Sequence, residues 1–333
     1  MIALLRIEAA GPLTSVQDAG RRGAMRFGVP RSGPIDRLAF AAALAAAQPE
    51  CGTAIELSLG GLTLTCLEGE IGFALCGSGF TAEIDGRALG GWCRATLGPG
   101  QRLRVRQGVG NWAYLAFAGA SVAPAWLGSR ATHALSGLGG GMVRSGDVLE
   151  FHGTRPLHAA ALQAPPEPSL MLPIGVVIGP QERYFAPDAL ERLCAETFTA
   201  TGTFDRMGRA LEGLPLMPLR LDMPSEPTMR GCLQIAGDGR MTMLMADHQT
   251  TGGFPKIASV ISADVTRLAQ LPPGTTLRFE TVSTEEAVRR LHVLAQAQAD
   301  CLRRLVPVGT LEERLRETNL VGGVIDALGA EVP

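Results

Sequence analysis

A ten-residue segment late in the chain gathers most of the side chains that could do chemistry. It follows a short run of Met and Leu and reads Asp247-His248-Gln249-Thr250-Thr251-Gly252-Gly253-Phe254-Pro255-Lys256. The segment offers a carboxylate, an imidazole, an amide, two hydroxyls and an ammonium. Paired glycines let the backbone adopt a positive φ or approach a ligand closely, and oriented N–H groups in such a loop can hold an anion or a carbonyl oxygen. This segment is therefore the first candidate site.

Three residues of the segment are candidate catalytic groups, namely Lys256, Asp247 and His248. The ammonium of Lys256 can bind a carboxylate or phosphoryl oxygen, or act as a base where burial lowers its pKa. The carboxylate of Asp247 can orient the lysine or accept a proton. The alternative interpretation is a surface loop whose charges are solvated and whose glycines only turn the chain. The expected substrate contacts are the residues between these groups: Gln249, Thr250, Thr251, Gly252 and Gly253.

Lys256 is the only lysine in the sequence. The 333 residues contain 30 Lys and Arg together, and 29 of them are Arg. Because lysine and arginine exchange readily on a surface, a position that keeps lysine under this bias is expected to need a compact ammonium. The same count excludes other functions. A biotin carrier needs its own lysine in an exposed turn and a P-loop needs Gly-Lys-Ser/Thr, so the sequence indicates no covalently attached biotin and no Walker A site.

A second polar set lies near the N-terminus and is a candidate for substrate binding. Gln17, Asp18 and Arg21 supply an amide, a carboxylate and a guanidinium within five residues. Ser32 and Asp36 follow at a predicted helix start, where an anion is also stabilised. The structural alternative is an ion pair of Asp18 with Arg21, or of Asp36 with its neighbour, together with a serine cap on the helix.

Arg130 and the pair Ser225-Glu226 complete the candidate substrate contacts. Gly137–Gly141 follows Arg130, and a glycine-rich loop can cradle a phosphate, but no strand–loop–helix context supports that role here. A long turn is the plainer interpretation of this stretch. The nearby pair Asp205-Arg206 is interpreted as structural.

Composition limits the partners and the compartment. The net charge is −2 and no basic tract exists, so a nucleic-acid partner is not expected. No run of about 18 apolar residues is present, which argues against a membrane-spanning helix, and the N-terminus lacks the charged region of a signal peptide. Seven cysteines without a CxxC pair indicate reduced thiols in a cytoplasmic protein. Five histidines without HxxxH or HExxH spacing predict no metal site.

The elements that must position these residues are mostly short strands. Apolar runs cut by glycine, with turn chemistry at Gly60-Gly61 and Asp85-Gly86, favour a mainly β fold, a β-barrel or sandwich with a few helices. One early helix is predicted to be capped by Ser32 and to end at Pro49. The strands predicted in the first half are Ile55–Leu59, Leu62–Cys66, Ile71–Cys76, Thr81–Ile84, Leu103–Gln107, Ala113–Phe117 and Val148–His152.

The chain divides into two β-rich halves. Residues 1–160 form the first, a Pro- and Ala-rich linker is predicted over 161–173, and 174–282 form the second. A helical extension is predicted over 283–333, beginning at the capping box Ser283–Glu286. The predicted elements of the second half are strands Val176–Ile178, Cys232–Ala236, Met241–Met245 and Thr276–Thr281, and helices near Pro187–Thr197 and Ala263–Leu271.

Nine motifs along the chain occur together in one known family. They are Ser15–Arg21, Phe27–Asp36, Ala54–Leu62, Ala113–Gly119, Leu127–Thr132, Gly179–Gln181, Asp205–Gly208, Ser225-Glu226 and Asp247–Ala258. Together they resemble the allophanate hydrolase subunit 2-type proteins over essentially the whole chain, and the last motif is the longest and most specific. This family includes the C-type subunit of bacterial ATP-dependent 5-oxoprolinase, part of the carboxyltransferase domain of urea carboxylase, and a protein that antagonises a histidine-kinase inhibitor.

The resemblance implies a fold and partners. The fold would be two cyclophilin-like β-barrel domains. The partner would be a subunit 1-type (KipI-like) protein in a heteromeric complex, with a LamB/YcsF-type third subunit in the 5-oxoprolinase case and ATP bound by the complex. His248 stands where the family usually has Arg, Trp112 replaces another usual Arg, and Pro227 replaces a usual Gly, which places the chain in a divergent branch.

Three functions stay open at this point. The first is a hydrolase subunit that opens the lactam 5-oxoproline to glutamate at the expense of ATP. The second is a carboxyltransferase component that moves a carboxyl group from biotin on a separate carrier to a urea-like amide. The third is a non-enzymatic regulator that binds a histidine-kinase inhibitor. We rank the first highest because the regulator is the more specialised role within the family.

Overall fold

The structure is a computed structural model that describes residues 1–165 and 172–305. Parts of the predicted linker 161–173 and of the predicted extension 283–333 lie outside the described residues, and the domain boundaries stay predictions. The seven cysteines are free thiols. In the part of the chain that the structure describes, no helix is both long and apolar enough to cross a membrane.

The first half consists of thirteen strands in two antiparallel sheets and one helix. The seven-stranded sheet has the order β11-β12-β1-β4-β9-β6-β7, and the six-stranded sheet has the order β13-β8-β5-β10-β3-β2. A 3₁₀ turn occupies Met25–Phe27. The elements are β1 (Ile2–Ala10), β2 (Ser15–Gln17), α1 (Arg37–Ala47), β3 (Ala54–Leu57), β4 (Leu62–Glu68), β5 (Ile71–Gly77), β6 (Thr81–Ile84), β7 (Arg87–Gly90), β8 (Cys93–Leu97), β9 (Arg102–Arg106), β10 (Ala113–Phe117), β11 (Ala120–Ser121), β12 (Val148–His152) and β13 (Ala160–Ala161).

The second half is an eight-stranded, barrel-like sheet with a small ribbon and three helices. The strand order of the large sheet is β22-β15-β16-β19-β18-β21-β14-β23, and β17 pairs with β20 as a separate ribbon. A 3₁₀ turn occupies Glu182–Tyr184. The elements are β14 (Ile174–Ile178), α2 (Ala189–Ala195), β15 (Phe198–Phe204), β16 (Gly208–Glu212), β17 (Glu226–Pro227), β18 (Cys232–Ile235), β19 (Met241–Leu244), β20 (Thr251–Gly252), β21 (Lys256–Val260), α3 (Val265–Gln270), β22 (Thr276–Leu277), β23 (Phe279–Thr281) and α4 (Thr284–Leu305).

The mainly β fold with a few helices is confirmed, but several whole strands were not predicted, among them β15 and β16. The strands β1 and β8 were also missed, although in both of them fully buried side chains alternate with less buried ones. The predicted cap of α1 is wrong, because Asp36 and not Ser32 accepts the hydrogen bond from the backbone N–H of Ala39, at 3.0 Å. Ser32 has a φ of 55° and Gly33 a φ of 82°, so the chain turns left-handed there and the helix begins later.

Three apolar cores hold the molecule together. One lies between the two sheets of the first half, and one fills the second half. The second core also receives Ile35 and Trp112 from the first half, both fully buried. In the third core, α1 covers the outer face of β5 and β10 and is itself covered by Cys301 and Leu305 of α4. Each half therefore completes the packing of the other.

A buried arginine joins the two halves through ion pairs. The guanidinium of Arg206, between β15 and β16, is fully buried and pairs with Glu56 on β3 and with Asp247 after β19. Its Nη2 also donates to the carbonyl of Gly33 at 2.7 Å. Burial alone would lower the pKa of Arg206, but the charges of Glu56 and Asp247 raise it above its ordinary value. The hydroxyl of Tyr114 donates a further hydrogen bond to Oε2 of Glu56, at 2.6 Å.

We predict that Arg206→Met strongly destabilises the protein. The variant leaves two buried carboxylates without a counter-charge, and removing one partner of a buried ion pair costs about 3–5 kcal/mol. Urea unfolding of the purified variant measures this loss. Arg104→Met, at an exposed position on β9, is the matched control and should stay within about 0.5 kcal/mol of the wild type. Equal midpoints for Arg206→Met and its control would show that the ion pairs do not hold the halves together.

Candidate functional site

Lys256 is the first residue of β21 and is almost enclosed, with 8% of its surface exposed. Its backbone N–H donates to Oε1 of Gln181 at 2.8 Å. The ammonium reaches only the carbonyl of Phe254, at 3.5 Å, which is long for a hydrogen bond. Burial lowers the pKa of Lys256, and the opposing effects of Cys232 and Glu226 do not restore it. Within residues 1–165 and 172–305, the ammonium has no ion-pair partner.

Gln181 braces the backbone around this lysine. It is 2% exposed, its Oε1 accepts from Lys256, and its Nε2 donates to the carboxylate of Glu226 on β17. Glu226 in turn pairs with Gly252 across the β17–β20 ribbon. In the sequence, Gln181 stood within a family motif but had no role assigned to it. Its side-chain contacts cross the fold and become visible only in three dimensions.

A cleft lies on the face of the eight-stranded sheet opposite its core. The volume of the cleft is about 390 Å³. Gln234, which pairs with Lys256 between β18 and β21, lines this cleft, whereas Lys256 itself does not. Gln249, whose substrate contact stays a prediction, lines it, and Gln234 of β18, which was not predicted, lines it next to Gln249. The Nε2 of Gln249 donates to Oε1 of Gln234 at 3.0 Å. Gln234 is also the register partner of Lys256 across β18 and β21, at an irregularity in the pairing of these two strands. The lining residues are Thr203, Phe204, Asp205, Met207, Gly208, Ala210, Gln234, Ala236, Thr242, Leu244, Gln249 and Phe254.

The glycine pair permits a close approach rather than a positive φ. Neither Gly252 nor Gly253 has a positive φ. A Cβ on Gly252 would lie 3.2 Å from Nε2 of Gln249 and 3.4 Å from Nε2 of Gln234, so a side chain there would press on the paired amides. At Gly253 a Cβ would come no nearer than 3.8 Å to the hydroxyl of Ser225, which is itself exposed.

Asp247 and His248 hold the segment in place. Asp247 is fully buried, where it accepts from Arg206 and from the backbone N–H of Ala134 at 2.9 Å. Burial would raise the pKa of Asp247, but the charge of Arg206 lowers it below its ordinary value. His248 lies with Nδ1 3.0 Å from the hydroxyl of Thr228, and burial lowers the pKa of its imidazole, which is neutral near pH 7. No hydrogen bond or ion pair between described residues joins either group to Lys256, so their predicted catalytic roles stay predictions.

Thr250 and Thr251 serve the backbone of the segment. The carbonyl of Thr250 accepts from the backbone N–H of Thr228 at 3.0 Å. Thr251 is exposed on β20 and pairs with Pro227 of β17. These contacts, together with that of His248, attach the candidate segment to β17 and to Thr228, and the amide of Gln249 attaches it to β18.

The N-terminal set lies at the junction of the halves. Asp18 accepts from the hydroxyl of Ser129 and from the backbone N–H of Arg130, both at 2.6 Å. The buried guanidinium of Arg21 donates to the carbonyl of Trp126 at 3.1 Å and lies over its indole ring, 4.7 Å from the centroid. Asp18 and Arg21 therefore form no direct ion pair, and both secure the loop that follows Trp126. Arg130 donates from Nε to the carbonyl of Ala123 at 2.8 Å.

The remaining predicted residues of the N-terminal set also form contacts inside the protein. Gln17 is buried and donates to the carbonyl of Thr132 at 3.1 Å. The Ser32 hydroxyl lies against Asp247 and helps to lower the pKa of that carboxyl. Asp36 accepts from Nε2 of Gln270 on α3 at 2.9 Å, and burial raises the pKa of Asp36. The structure thus places one group of predicted residues at the junction around Asp247, and of the predicted residues only Gln249 lines the cleft.

Comparison with known proteins identifies a matching family and similar relatives. The family described as carboxyltransferase domain, subdomain A and B, matches residues 27–281. The C-type subunit of the 5-oxoprolinase of Haemophilus influenzae is 32% identical over 316 residues, which is 92% of this chain and 99% of that protein. The Escherichia coli protein of the same name is 32% identical over 86% of this chain and 94% of its own length.

A solved structure agrees with these relatives. The urea amidolyase of K. lactis superposes with a TM-score of 0.78 at 26% identity, over 90% of this chain and 20% of that much longer one. The family resemblance seen in the sequence motifs is thereby confirmed. The match over most of its length shows that this chain belongs to the carboxyltransferase domain family, subdomains A and B.

Proposed function

We propose that this chain is the C-type subunit of an ATP-dependent 5-oxoprolinase complex, which opens the lactam of 5-oxoproline to give glutamate. In this proposal it acts in the cytoplasm with a subunit 1-type partner and a LamB/YcsF-type third subunit, and the assembled complex binds ATP. Support comes from two relatives that bear the name of this 5-oxoprolinase subunit, whose lengths match this chain almost from end to end.

The proposal rests mainly on one observation: Lys256 is largely buried, and its ammonium has no ion-pair partner among the described residues. A buried cation without a counter-charge is costly, and such a group is stabilised when an anion binds beside it. The substrate 5-oxoproline carries one carboxylate, and a phosphorylated amide oxygen would add further negative charge. The cleft lined by Gln234, which pairs with Lys256, is large enough for so small a molecule. Lys256 is therefore assigned to hold the anionic part of the substrate.

The residues around Lys256 hold its backbone and the neighbouring side chains in position. Gln181 fixes the backbone from which Lys256 extends, and Gly252 keeps space open at the paired glutamines. Asp247 holds the start of the segment against Arg206 and so couples it to the first half. Opening an unstrained lactam is uphill, which is why ATP is consumed in this reaction class. A preorganised cation at the developing oxyanion would lower the barrier without rearranging.

We predict that Lys256→Met abolishes most of the 5-oxoproline-dependent ATP hydrolysis of the reconstituted complex. The methionine keeps the apolar stem and removes the charge. Loss of one preorganised donor typically lowers turnover about 10²–10³-fold. Lys256→Arg should restore only part of the activity, because a planar guanidinium does not replace a compact ammonium in an enclosed site.

The control for this experiment is Arg220→Met, at an exposed residue that pairs only with its neighbour Asp222. It should leave turnover unchanged. Full activity in Lys256→Met, with the complex still assembled, would remove Lys256 from the site. No dependence of ATP hydrolysis on 5-oxoproline in the wild-type complex would overturn the proposed function itself.

The pH dependence of this activity gives a further prediction. Only the charged form of Lys256 binds an anion, and burial lowers the pKa of Lys256. The affinity for 5-oxoproline should therefore fall as the pH rises through that lowered value, at a lower pH than an exposed lysine would require. Measurement of KM against pH between about 7 and 11 tests this, since the ordinary lysine pKa is about 10.4. Lys256→Arg should remove the fall from this range, and an unchanged profile in that variant would contradict the assignment.

A second candidate is favoured by the family description itself. Residues 27–281 match a carboxyltransferase domain, and the K. lactis neighbour is a urea amidolyase. In that case the chain would accept a carboxyl group from biotin on a separate carrier protein, because its only lysine is enclosed. Binding of free biotin or urea, without any response to 5-oxoproline, would favour this candidate over the first.

A further inference from the structure

The paired glutamines of the cleft have hydrogen-bonding groups left over. One bond joins Nε2 of Gln249 to Oε1 of Gln234. Within the described residues, no partner is found for Nε2 of Gln234 or for Oε1 of Gln249. Each side-chain amide carries two N–H donors and two acceptor lone pairs, so the pair presents a free donor and a free acceptor to the cleft.

The rest of the cleft sets the chemistry of its ligand. Apolar groups form much of the wall, including Phe204, Leu244 and the half-exposed ring of Phe254. Among the described residues that line the cleft, the single charged group is Asp205, whose Oδ1 is used by the backbone N–H groups of Met207 and Gly208. The wall at the glutamines is therefore complementary to a small neutral group with one acceptor and one donor side by side.

We propose that Gln234 and Gln249 read the –NH–C(=O)– edge of a small cyclic amide or ureide. Nε2 of Gln234 donates to the carbonyl oxygen of the ligand, and Oε1 of Gln249 accepts from its N–H. Both groups lie on one edge of such a ring because the amide is held cis by the ring. The two glutamines are specificity residues of the cleft, and this inference rests on the proposed function only for the identity of the substrate.

Gly252 explains why the pair can serve this purpose. Its missing side chain leaves room within 3.4 Å of both amide nitrogens. Because β20 also pairs with β17 at Glu226, the backbone of Gly252 is fixed from behind by the contact of Glu226 with Gln181. The two amides therefore face the cleft from a supported position, which is the condition for discriminating between similar ligands.

The test compares ligands that differ only in this edge. The full-length protein is titrated by NMR with 2-pyrrolidinone, which has the amide edge, and with γ-butyrolactone, in which an oxygen replaces the N–H. We expect the lactam to bind about tenfold more tightly, since the lactone leaves one group of the site unpaired. A third ligand, the cyclic ureide 2-imidazolidinone, distinguishes the two ligand classes. If it binds more tightly than 2-pyrrolidinone, the natural ligand is a ureide, and if it binds more weakly, the natural ligand is a lactam.

Variants of the pair assign the effect to these residues. Gln234→Glu replaces the donor by an acceptor, and Gln249→Met removes the acceptor. Each should reduce the lactam preference about tenfold, while lactone binding reports that the cleft is intact. Gln163→Glu, at an exposed residue outside the cleft, is the matched control and should keep the preference.

Two results would overturn the inference. One is equal binding of lactam and lactone by the wild type, and the other is an unchanged lactam preference in both glutamine variants. Either result leaves the activity of the reconstituted complex with 5-oxoproline untouched, so the proposed function would survive. Conversely, a lactam preference that depends on the glutamines, in a complex that ignores 5-oxoproline, would keep the inference and end the proposed function.

Discussion

The arrangement of the whole molecule depends on the ion pairs of one buried guanidinium. Arg206 comes from the second half, Glu56 from the first, and Asp247 from the start of the candidate segment. Two carboxylates and one guanidinium in a dry interior are stable only with complete pairing, because each unpaired charge would be costly. The same contact thereby joins the two halves and fixes the start of the segment after β19.

The charged and polar side chains of the protein fall into two groups. Residues whose charge is satisfied inside the protein, such as Asp18, Arg21 and Asp247, hold loops in place. The two glutamines at the cleft keep one donor and one acceptor unused among the described residues. The ammonium of Lys256, which does not line the cleft, makes only one long hydrogen bond within the described residues. Neither polar type nor the number of partners alone distinguishes these roles, since Nη1 of Arg21 and Oε1 of Gln17 are also buried without a hydrogen-bond partner among the described residues.

Much of the fold was predictable from the sequence, because strands with one buried face carry an alternating pattern and glycine turns separate them. The hairpin at Asp85-Gly86 is one case, since both residues have the positive φ that their types favour. The start of α1 was not predictable from the cap chemistry alone, because Ser32 and Asp36 are both good caps and the left-handed turn at Ser32 decides between them. The rarity of lysine drew attention to Lys256, and its role in the site stays a prediction. Nothing comparable in the sequence drew attention to Gln181 and Gln234, because their contacts join distant parts of the chain.

The last helix gives the molecule a particular order of assembly. α4 ends on the outer face of α1, so residues near position 300 cover a helix that begins near position 37. During synthesis the first half leaves the ribosome with this apolar face uncovered. Ile35 and Trp112 are then also uncovered, because the core that buries them belongs to the second half. Contacts of such long sequence separation form late and slow folding. The nascent first half consequently exposes these apolar surfaces until the chain is nearly complete.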